Sequence, residues 1–181
     1  YYPNDNLIIV SGDSGIYKSI DLGQNWTQVY NASNGTAIYE LYFRDNMNGW
    51  SVGDKGLLLK TVDGGNTWTT VNSGTNKYLN GIYFTSSSNG FIVGDSNVAL
   101  KTIDGGNTWT DLSPVSSNSN NYDISFSSKT DGWIVGSDGG VFKTSDAGLN
   151  WTKVSIGTSD VLTGVSFVDS LEGWIYGVGG L

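Results

Sequence analysis

Aspartates recur along the chain in two series, and they are the residues best suited to do chemistry. Converging carboxylates can hold calcium through oxygen ligands, and a pair of them can serve as the acid and base of a glycosidase. Asp close to Gly also commonly closes a tight turn. We favour the turn role and predict no metal site, no cofactor and no catalytic residue. The two series are Asp21, Asp63, Asp104 and Asp146, and then Asp13, Asp54, Asp95 and Asp138.

Two residue types that are common in catalytic and metal sites are missing from this sequence. It contains no cysteine and no histidine, and Arg44 is its one arginine. Disulfides, thiolate or imidazole metal sites and Ser-His or Cys-His nucleophile pairs are therefore excluded within it. The formal net charge is −8, which argues against a phosphate-binding groove for nucleic acid. No apolar run is long enough for membrane insertion.

The first aspartate series belongs to an internal repeat with the pattern Ser/Thr-x-Asp-x-Gly-x-x-Trp. Its aspartates are spaced 42, 41 and 42 residues apart, and a fixed period of this length indicates a repeat architecture. The four copies contain Ser19, Asp21, Gly23 and Trp26; Thr61, Asp63, Gly65 and Trp68; Thr102, Asp104, Gly106 and Trp109; and Thr144, Asp146, Gly148 and Trp151.

Three further landmarks keep the same period. A glycine is followed by an aromatic residue, a phenylalanine lies six residues before that glycine, and a lysine precedes each box hydroxyl residue. The glycine–aromatic pairs begin at Gly49, Gly90, Gly132 and Gly173, the phenylalanines are Phe43, Phe84, Phe126 and Phe167, and the lysines are Lys18, Lys60, Lys101 and Lys143.

The elements that must position these residues are short strands. One period reads as strands at 79–85, 91–94, 98–102 and 109–112, separated by turn residues. Four antiparallel strands in about 42 residues form the blade of a β-propeller. The sequence therefore predicts an all-β fold of seventeen strands, in which the repeated pattern is the turn between strands three and four of each blade.

The box residues suit that turn. Asp and Ser/Thr side chains can accept hydrogen bonds from backbone N–H groups that the turn leaves unpaired, and Gly tolerates a positive φ. The Trp can bury its ring beside the turn and leave its N–H available for a partner. We interpret all four boxes as structural.

These boxes resemble the Asp-box, or bacterial neuraminidase, repeat, and the stretch 48–68 looks like the repeat of photosystem II stability and assembly factors. The resemblance covers almost the whole chain and implies a propeller. Sialidases of this kind hold a carboxylate with an arginine cluster, and assembly factors present an arginine-rich patch. Arg44 alone cannot form an arginine cluster or an arginine-rich patch. The resemblance therefore implies the fold and does not imply these binding sites.

The repeat predicts one propeller domain or propeller segment over 1–181. Blades are expected at 35–74, 75–115 and 116–157, with partial blades at 1–34 and 158–181. The two partial blades can complete each other in a small closed ring, or the chain can be a segment of a larger propeller. We favour the segment.

Binding is expected at the end of the blades opposite the boxes, where loops differ most between repeats. Tyr78 and Tyr122 lie there with the second aspartate series. These tyrosines can stack on sugars, contact a protein or fill space between blades. Asn31 and Asn34 occupy predicted loop sequons and are candidate glycosylation sites.

The sequence leaves two functions open. The first is a non-catalytic structural or protein-interaction module of a secreted or cell-surface protein, with a protein partner or self-assembly. The second is a glycan-binding or carbohydrate-active propeller segment. We expect an extracellular or cell-surface location for either.

Overall fold

The computed structural model describes residues 6–32, 35–112 and 119–179 of the chain. Within these residues lie seventeen strands in five antiparallel sheets, and no α-helix occurs among them. The prediction of an all-β fold built from four-stranded antiparallel blades is therefore confirmed. No helical segment in the described ranges has the length and apolarity needed to cross a bilayer.

The strands follow one another as consecutive meanders. In chain order they are β1 (Ile8–Gly12), β2 (Gly15–Ser19), β3 (Thr27–Asn31), β4 (Ile38–Phe43), β5 (Gly49–Gly53), β6 (Leu58–Thr61), β7 (Thr69–Thr70), β8 (Leu79–Phe84), β9 (Gly90–Gly94), β10 (Ala99–Thr102), β11 (Thr110–Asp111), β12 (Asn121–Phe126), β13 (Gly132–Gly136), β14 (Val141–Thr144), β15 (Thr152–Val154), β16 (Leu162–Phe167) and β17 (Gly173–Gly177).

The five sheets are numbered here as blades 1 to 5. Blades 2, 3 and 4 each have four strands, β4–β7, β8–β11 and β12–β15. Blade 1 consists of β1–β3 and blade 5 of β16–β17. The box turns of blades 1 to 4 lie at one end of the blade, called the box end. The turns between the second and third strands of blades 2 to 4, and between β1 and β2 of blade 1, lie at the other end, called the hairpin end.

The chain divides into two compact units, 1–79 and 80–181. In the first unit the apolar core joins blades 1 and 2 through residues such as Ile9, Ile16 and Leu59. In the second unit one cluster joins β9 to blade 4 and another joins blade 4 to blade 5. A blade thus buries its apolar residues against its neighbour, because a single sheet cannot cover its own two faces.

The fourth strands are shorter than predicted. The expected strand 109–112 is reduced to β11, two residues long, and β7 is equally short. A box Trp precedes both strands, and its ring meets a Phe of the same blade.

The strands β4, β12 and β16 each carry a bulge near their start. The register shifts between Ile38 and Glu40, between Asn121 and Asp123, and between Leu162 and Gly164. The extra residue is Tyr39 in β4, Tyr122 in β12 and Thr163 in β16. Because a bulged residue leaves the ladder, its side chain is re-aimed, and both tyrosines lie at the hairpin end.

Candidate functional site

The box turns share one hydrogen-bond pattern. In blade 3 the Thr102 hydroxyl donates to Asp104 Oδ1 at 2.8 Å and accepts the Gly106 N–H at 2.9 Å. Asp104 Oδ1 also accepts the N–H groups of Asn107 and Thr108, both at 3.0 Å. The same bonds recur around Ser19, Thr61 and Thr144. The box carboxylates are thus directed into their own turns.

A fifth box position was missed in the sequence. Four residues after each Asp, a side chain bonds to the second carboxylate oxygen. Thr67 and Thr108 use a hydroxyl at 2.6 Å, and Asn25 and Asn150 use an amide at 2.7 and 2.8 Å. The signal was present, since Asn or Thr stands at this position in every copy.

These hydrogen bonds hold the box carboxylates in the charged form. The Asn25 amide is the main cause that lowers the pKa of Asp21 to about 2, and Asn150 does the same for Asp146. Partial burial alone would raise the pKa of Asp63, but bonds from Thr67 and its neighbours lower it to about 2. The Thr108 bonds lower the pKa of Asp104 as well.

Acid should therefore weaken the fold. A carboxylate whose folded pKa lies near 2 stabilises the folded state above its unfolded pKa of about 3.9 and loses that contribution as pH falls toward about 2. The free energy of unfolding, measured with urea, should fall as the pH is lowered across this range. Asp146→Asn should flatten the curve in part, and a wild-type stability that stays level over the range would contradict this role of the carboxylates. The pKa of half-buried Asp123 is raised by its burial, so Asp123 has the opposite effect on the pH dependence of stability.

The box tryptophans differ in their surroundings. The rings of Trp68, Trp109 and Trp151 meet Phe43, Phe84 and Phe126 edge-on at 5.8 to 6.0 Å. Their indole N–H groups are buried and have no hydrogen-bond acceptor among the described residues. The acceptor that the sequence led us to expect is therefore not among those residues. Trp26 instead is 44% exposed and donates to the Gly23 carbonyl at 3.0 Å.

The box turns of blades 2 and 4 also pack on a strand of the blade before them, β1 for blade 2 and β9 for blade 4. A Cβ on Gly65 would lie 2.7 Å from the Ile9 side chain, and one on Gly148 would lie 2.5 Å from the Phe91 ring. Phe91 belongs to the periodic glycine–aromatic pairs. Their aromatic residue therefore forms part of the joint between blades 3 and 4.

Two of the periodic lysines form hydrogen bonds to the box turn of the next blade. Lys18 of blade 1 donates to the Gly64 carbonyl at 3.0 Å and to Asn66 Oδ1 at 2.8 Å in the next box. Lys101 of blade 3 donates to the Ala147 carbonyl at 2.9 Å and lies 5.3 Å from the centre of the Phe91 ring. The sequence showed the period of the lysines and did not show this role, because their partners lie 46 residues away.

Removing the Lys101 ammonium should loosen the joint between blades 3 and 4. Lys101→Met keeps most of the apolar stem but loses one charged hydrogen bond, and we expect unfolding to become easier by about 1 kcal/mol. Chemical denaturation measures the change. Lys153→Met, at an exposed residue of β15, is the control and should change stability by only a few tenths of a kcal/mol. Equal effects would argue against the inter-blade bond.

The hairpin-end aspartates differ in their hydrogen-bond partners. Asp54 accepts the Tyr39 hydroxyl on one oxygen and the Ala37 N–H, at 3.2 Å, on the other. Asp95 accepts the Asn80 amide at 2.8 Å, and Asp138 accepts the Ser137 hydroxyl at 3.3 Å. Asp13 is exposed. Across the described part of the chain, no three ligand-type side chains converge on a point that could hold a metal ion.

Two tyrosines form an exposed aromatic corner at the hairpin end of the first unit. Tyr39 is 47% and Tyr78 43% exposed, and their ring centres lie 6.2 Å apart at an interplanar angle of 73°. The sequence singled out Tyr78 and missed its pairing with Tyr39, which depends on the bulge. Tyr122 is half-buried, and its hydroxyl accepts the Asn120 amide at a long 3.5 Å.

The remaining candidates lie elsewhere. Asn31 is exposed at the end of β3, whereas Asn34 lies outside the described residues. Arg44 pairs with Asp45 at 3.0 Å and lies 5.3 Å from the centre of the Trp50 ring. No role was predicted for Asp123, which accepts the N–H of Ile124 at 2.7 Å and of Val165 at 2.8 Å. Asp123 thereby links blades 4 and 5.

The chain matches one protein-family model over most of its length. Residues 61–119 and 111–181 each match the family described as photosynthesis system II assembly factor YCF48. No curated protein sequence matches significantly. The family match includes three of the four box turns.

Solved structures place the fold among β-propellers. YCF48 from Cyanidioschyzon merolae superposes with a TM-score of 0.78 at 16% identity, over 97% of this chain and 64% of that one. The GH74 xyloglucanase from Xanthomonas campestris gives 0.78 at 12% identity, over 98% and 34%. YCF48 bound to D1 peptide gives 0.52 at 14% identity, over 97% and 88%. The chain thus spans less than two thirds of the first of these relatives, and one fold serves both an assembly factor and a glycoside hydrolase.

Proposed function

This chain belongs to the family of the photosynthesis system II assembly factor YCF48, and from that premise we propose that it is a non-catalytic module that binds a peptide segment of a partner protein at its hairpin end. The observation that carries the proposal is the exposed pair of Tyr39 and Tyr78 beside Asp54. Aromatic rings with a polar tip are favoured at protein interfaces. YCF48 bound to D1 peptide offers a precedent for peptide binding on this fold.

The chemistry of the box end supports the same assignment. The box carboxylates accept three or more hydrogen bonds from their own turns, which fits a structural role. A nucleophile paired with histidine is excluded by the sequence. The loops at the hairpin end differ between repeats, as expected of a recognition surface.

A random peptide library displayed on phage tests the proposal. We expect selection on the immobilised protein to enrich peptides that bind in solution and lose roughly tenfold or more in affinity on Tyr78→Ala, as for an interface anchor. The exposed ring of Tyr176 supplies a control, because Tyr176→Ala should leave binding unchanged. Failure to enrich any peptide, or hydrolysis of xyloglucan by the pure chain, would overturn the proposal.

Glycan binding is the second candidate function, and it is favoured by the exposed tyrosine rings together with the GH74 neighbours. Sugars stack on such rings. Binding to a polysaccharide panel that is lost on Tyr78→Ala, with no peptide enriched, would favour this function.

We further propose that the protein is exported to the cell surface. The exposed Asn31 sequon supports this location. A sugar-sized mass increment on the peptide that contains Asn31, in protein isolated from its source, would be expected on a glycosylating export route. Recovery of the protein only from the cell interior would contradict the location.

A further inference from the structure

A cleft opens at the box end between blades 3 and 4, within the second compact unit. Its volume is about 250 Å³, which is smaller than the usual pocket of a drug-sized ligand. Thr85 and Lys101 line it from blade 3, and Lys129 and Ala147 line it from blade 4. The cleft therefore has room for a small ion, and both blades contribute to its wall.

The wall of this cleft carries positive charge. Lys101 and Lys129 line it, and no acidic side chain of the described residues does, although the chain has 17 acidic and nine basic residues. Asp131 follows close in the chain but accepts the hydroxyls of Ser128 and Thr130, at 2.7 and 2.8 Å, outside the lining. The cleft therefore suits an anion better than a cation.

Three side chains of the cleft keep hydrogen-bond donors for a ligand. The Lys101 ammonium donates one N–H to the Ala147 carbonyl at 2.9 Å and has two more. Within the described ranges, the Lys129 ammonium and the Thr85 hydroxyl form no side-chain hydrogen bond, and Lys129 forms no ion pair. An ion in the cleft can thus receive hydrogen bonds from both blades.

The second lysine is particular to this cleft. Lys129 lies three residues after Phe126, and the same place in the other blades holds Asn46, Ser87 and Ser170. The repeat therefore does not require a lysine there. Because Lys129 is exposed and has no carboxylate partner in the described structure, a structural role does not account for it.

We propose that the cleft between blades 3 and 4 binds a doubly charged oxyanion, a sulfate or phosphate group, either free or at the end of an ester. Two ammonium groups attract a double negative charge more strongly than a single one, and lysine binds phosphate as a compact point charge. The Thr85 hydroxyl can donate to a further oxygen of the ion. An ion held by Lys101 and Lys129 connects the two blades, so its binding stabilises the folded protein. This site lies at the box end and does not depend on the proposed peptide surface at the hairpin end.

Thermal unfolding in sodium sulfate tests the site. Sodium chloride keeps the ionic strength constant while the sulfate concentration is raised, because screening changes the effect of every charge. Sulfate also stabilises folded proteins in general, since it is excluded from their surface, and that effect does not saturate. We expect the unfolding midpoint of the wild type to rise and then level off, as for one bound ion. Calorimetric titration with sulfate should give one site per chain.

Matched variants test the residues. Lys129→Gln should weaken sulfate binding roughly five- to tenfold and remove most of the saturable rise of the midpoint. Lys153→Gln makes the same charge change at an exposed residue of β15 and should leave both unchanged. Thr85→Val should weaken binding roughly two- to threefold. Lys129 lies in an exposed turn, so its substitution leaves the fold intact and keeps the test valid if Thr85→Val unfolds.

The outcomes separate a built site from general salt effects. A midpoint that rises linearly, and equally in the wild type and Lys129→Gln, would overturn the site. Equal losses of affinity in Lys129→Gln and Lys153→Gln would also overturn it, because net charge alone would then attract the ion. Methyl phosphate that binds as tightly as inorganic phosphate would assign the site to an ester group of a larger ligand, and much weaker binding of the ester would assign it to the free ion.

Discussion

Replacing Gly148 with alanine should lower the free energy of unfolding by about 3 kcal/mol. Gly148 has a φ of +74°, and its new Cβ would lie 2.5 Å from a ring carbon of Phe91. The box turn of blade 4 would have to move away from β9. Phe91 lies in an apolar cluster with Val93, Ile124 and Phe126, so the ring has little room to retreat.

Gly157→Ala separates the two contributions to this loss. Gly157 has a φ of +83°, but nothing lies within 4 Å of the place that a Cβ would take, so this variant measures the backbone cost alone, about 1 kcal/mol. Urea denaturation of both variants gives the difference, which is the cost of the contact between blades. Equal losses would mean that the box glycine is required only for its backbone conformation.

Thr102→Val should cost about 2 kcal/mol, because it removes one oxygen from a buried turn and leaves its donors unpaired. Thr102 is 1% exposed, and its hydroxyl accepts the buried Gly106 N–H at 2.9 Å while donating to Asp104 Oδ1. Valine has nearly the same shape, so packing is largely preserved and the loss reports the hydrogen bonds.

Thr163→Val provides the comparison for this variant. Thr163 is exposed at the bulge of β16, so little change in stability is expected from a substitution there. Thermal or urea unfolding of the two variants measures the contrast. A Thr102→Val protein as stable as the Thr163→Val protein would show that the box hydroxyl is dispensable.

Local chemistry could be predicted from the sequence, and contacts between blades could not. The hydroxyl, Asp and Gly of each box lie within five residues of one another, so their hydrogen bonds follow from turn chemistry. Lys101 and Phe91 meet the box of the following blade, and no local pattern assigns a partner so far along the chain. The sequence showed only that these residues repeat.

The candidate site illustrates a second limit. Tyr39 and Tyr78 both lie at or beside predicted connections between blades, but nothing in the sequence shows that their rings meet. The one-residue bulge in β4 decides that Tyr39 faces outward, and a bulge leaves no mark in the alternation of apolar and polar residues. The four box tryptophans likewise look equivalent in sequence. Trp26 is the exposed one, and the described residues of blade 1 include no counterpart of Phe43 to cover it.

Hydrogen exchange with and without a selected peptide would show directly whether binding occurs at the hairpin end of the blades. We expect the peptide to protect backbone amides around Asp54–Gly56 and Lys77–Tyr78, while the box turn after Asp63 exchanges as before. Protection confined to the box turns, or no protection at the hairpin end, would contradict the proposed binding surface.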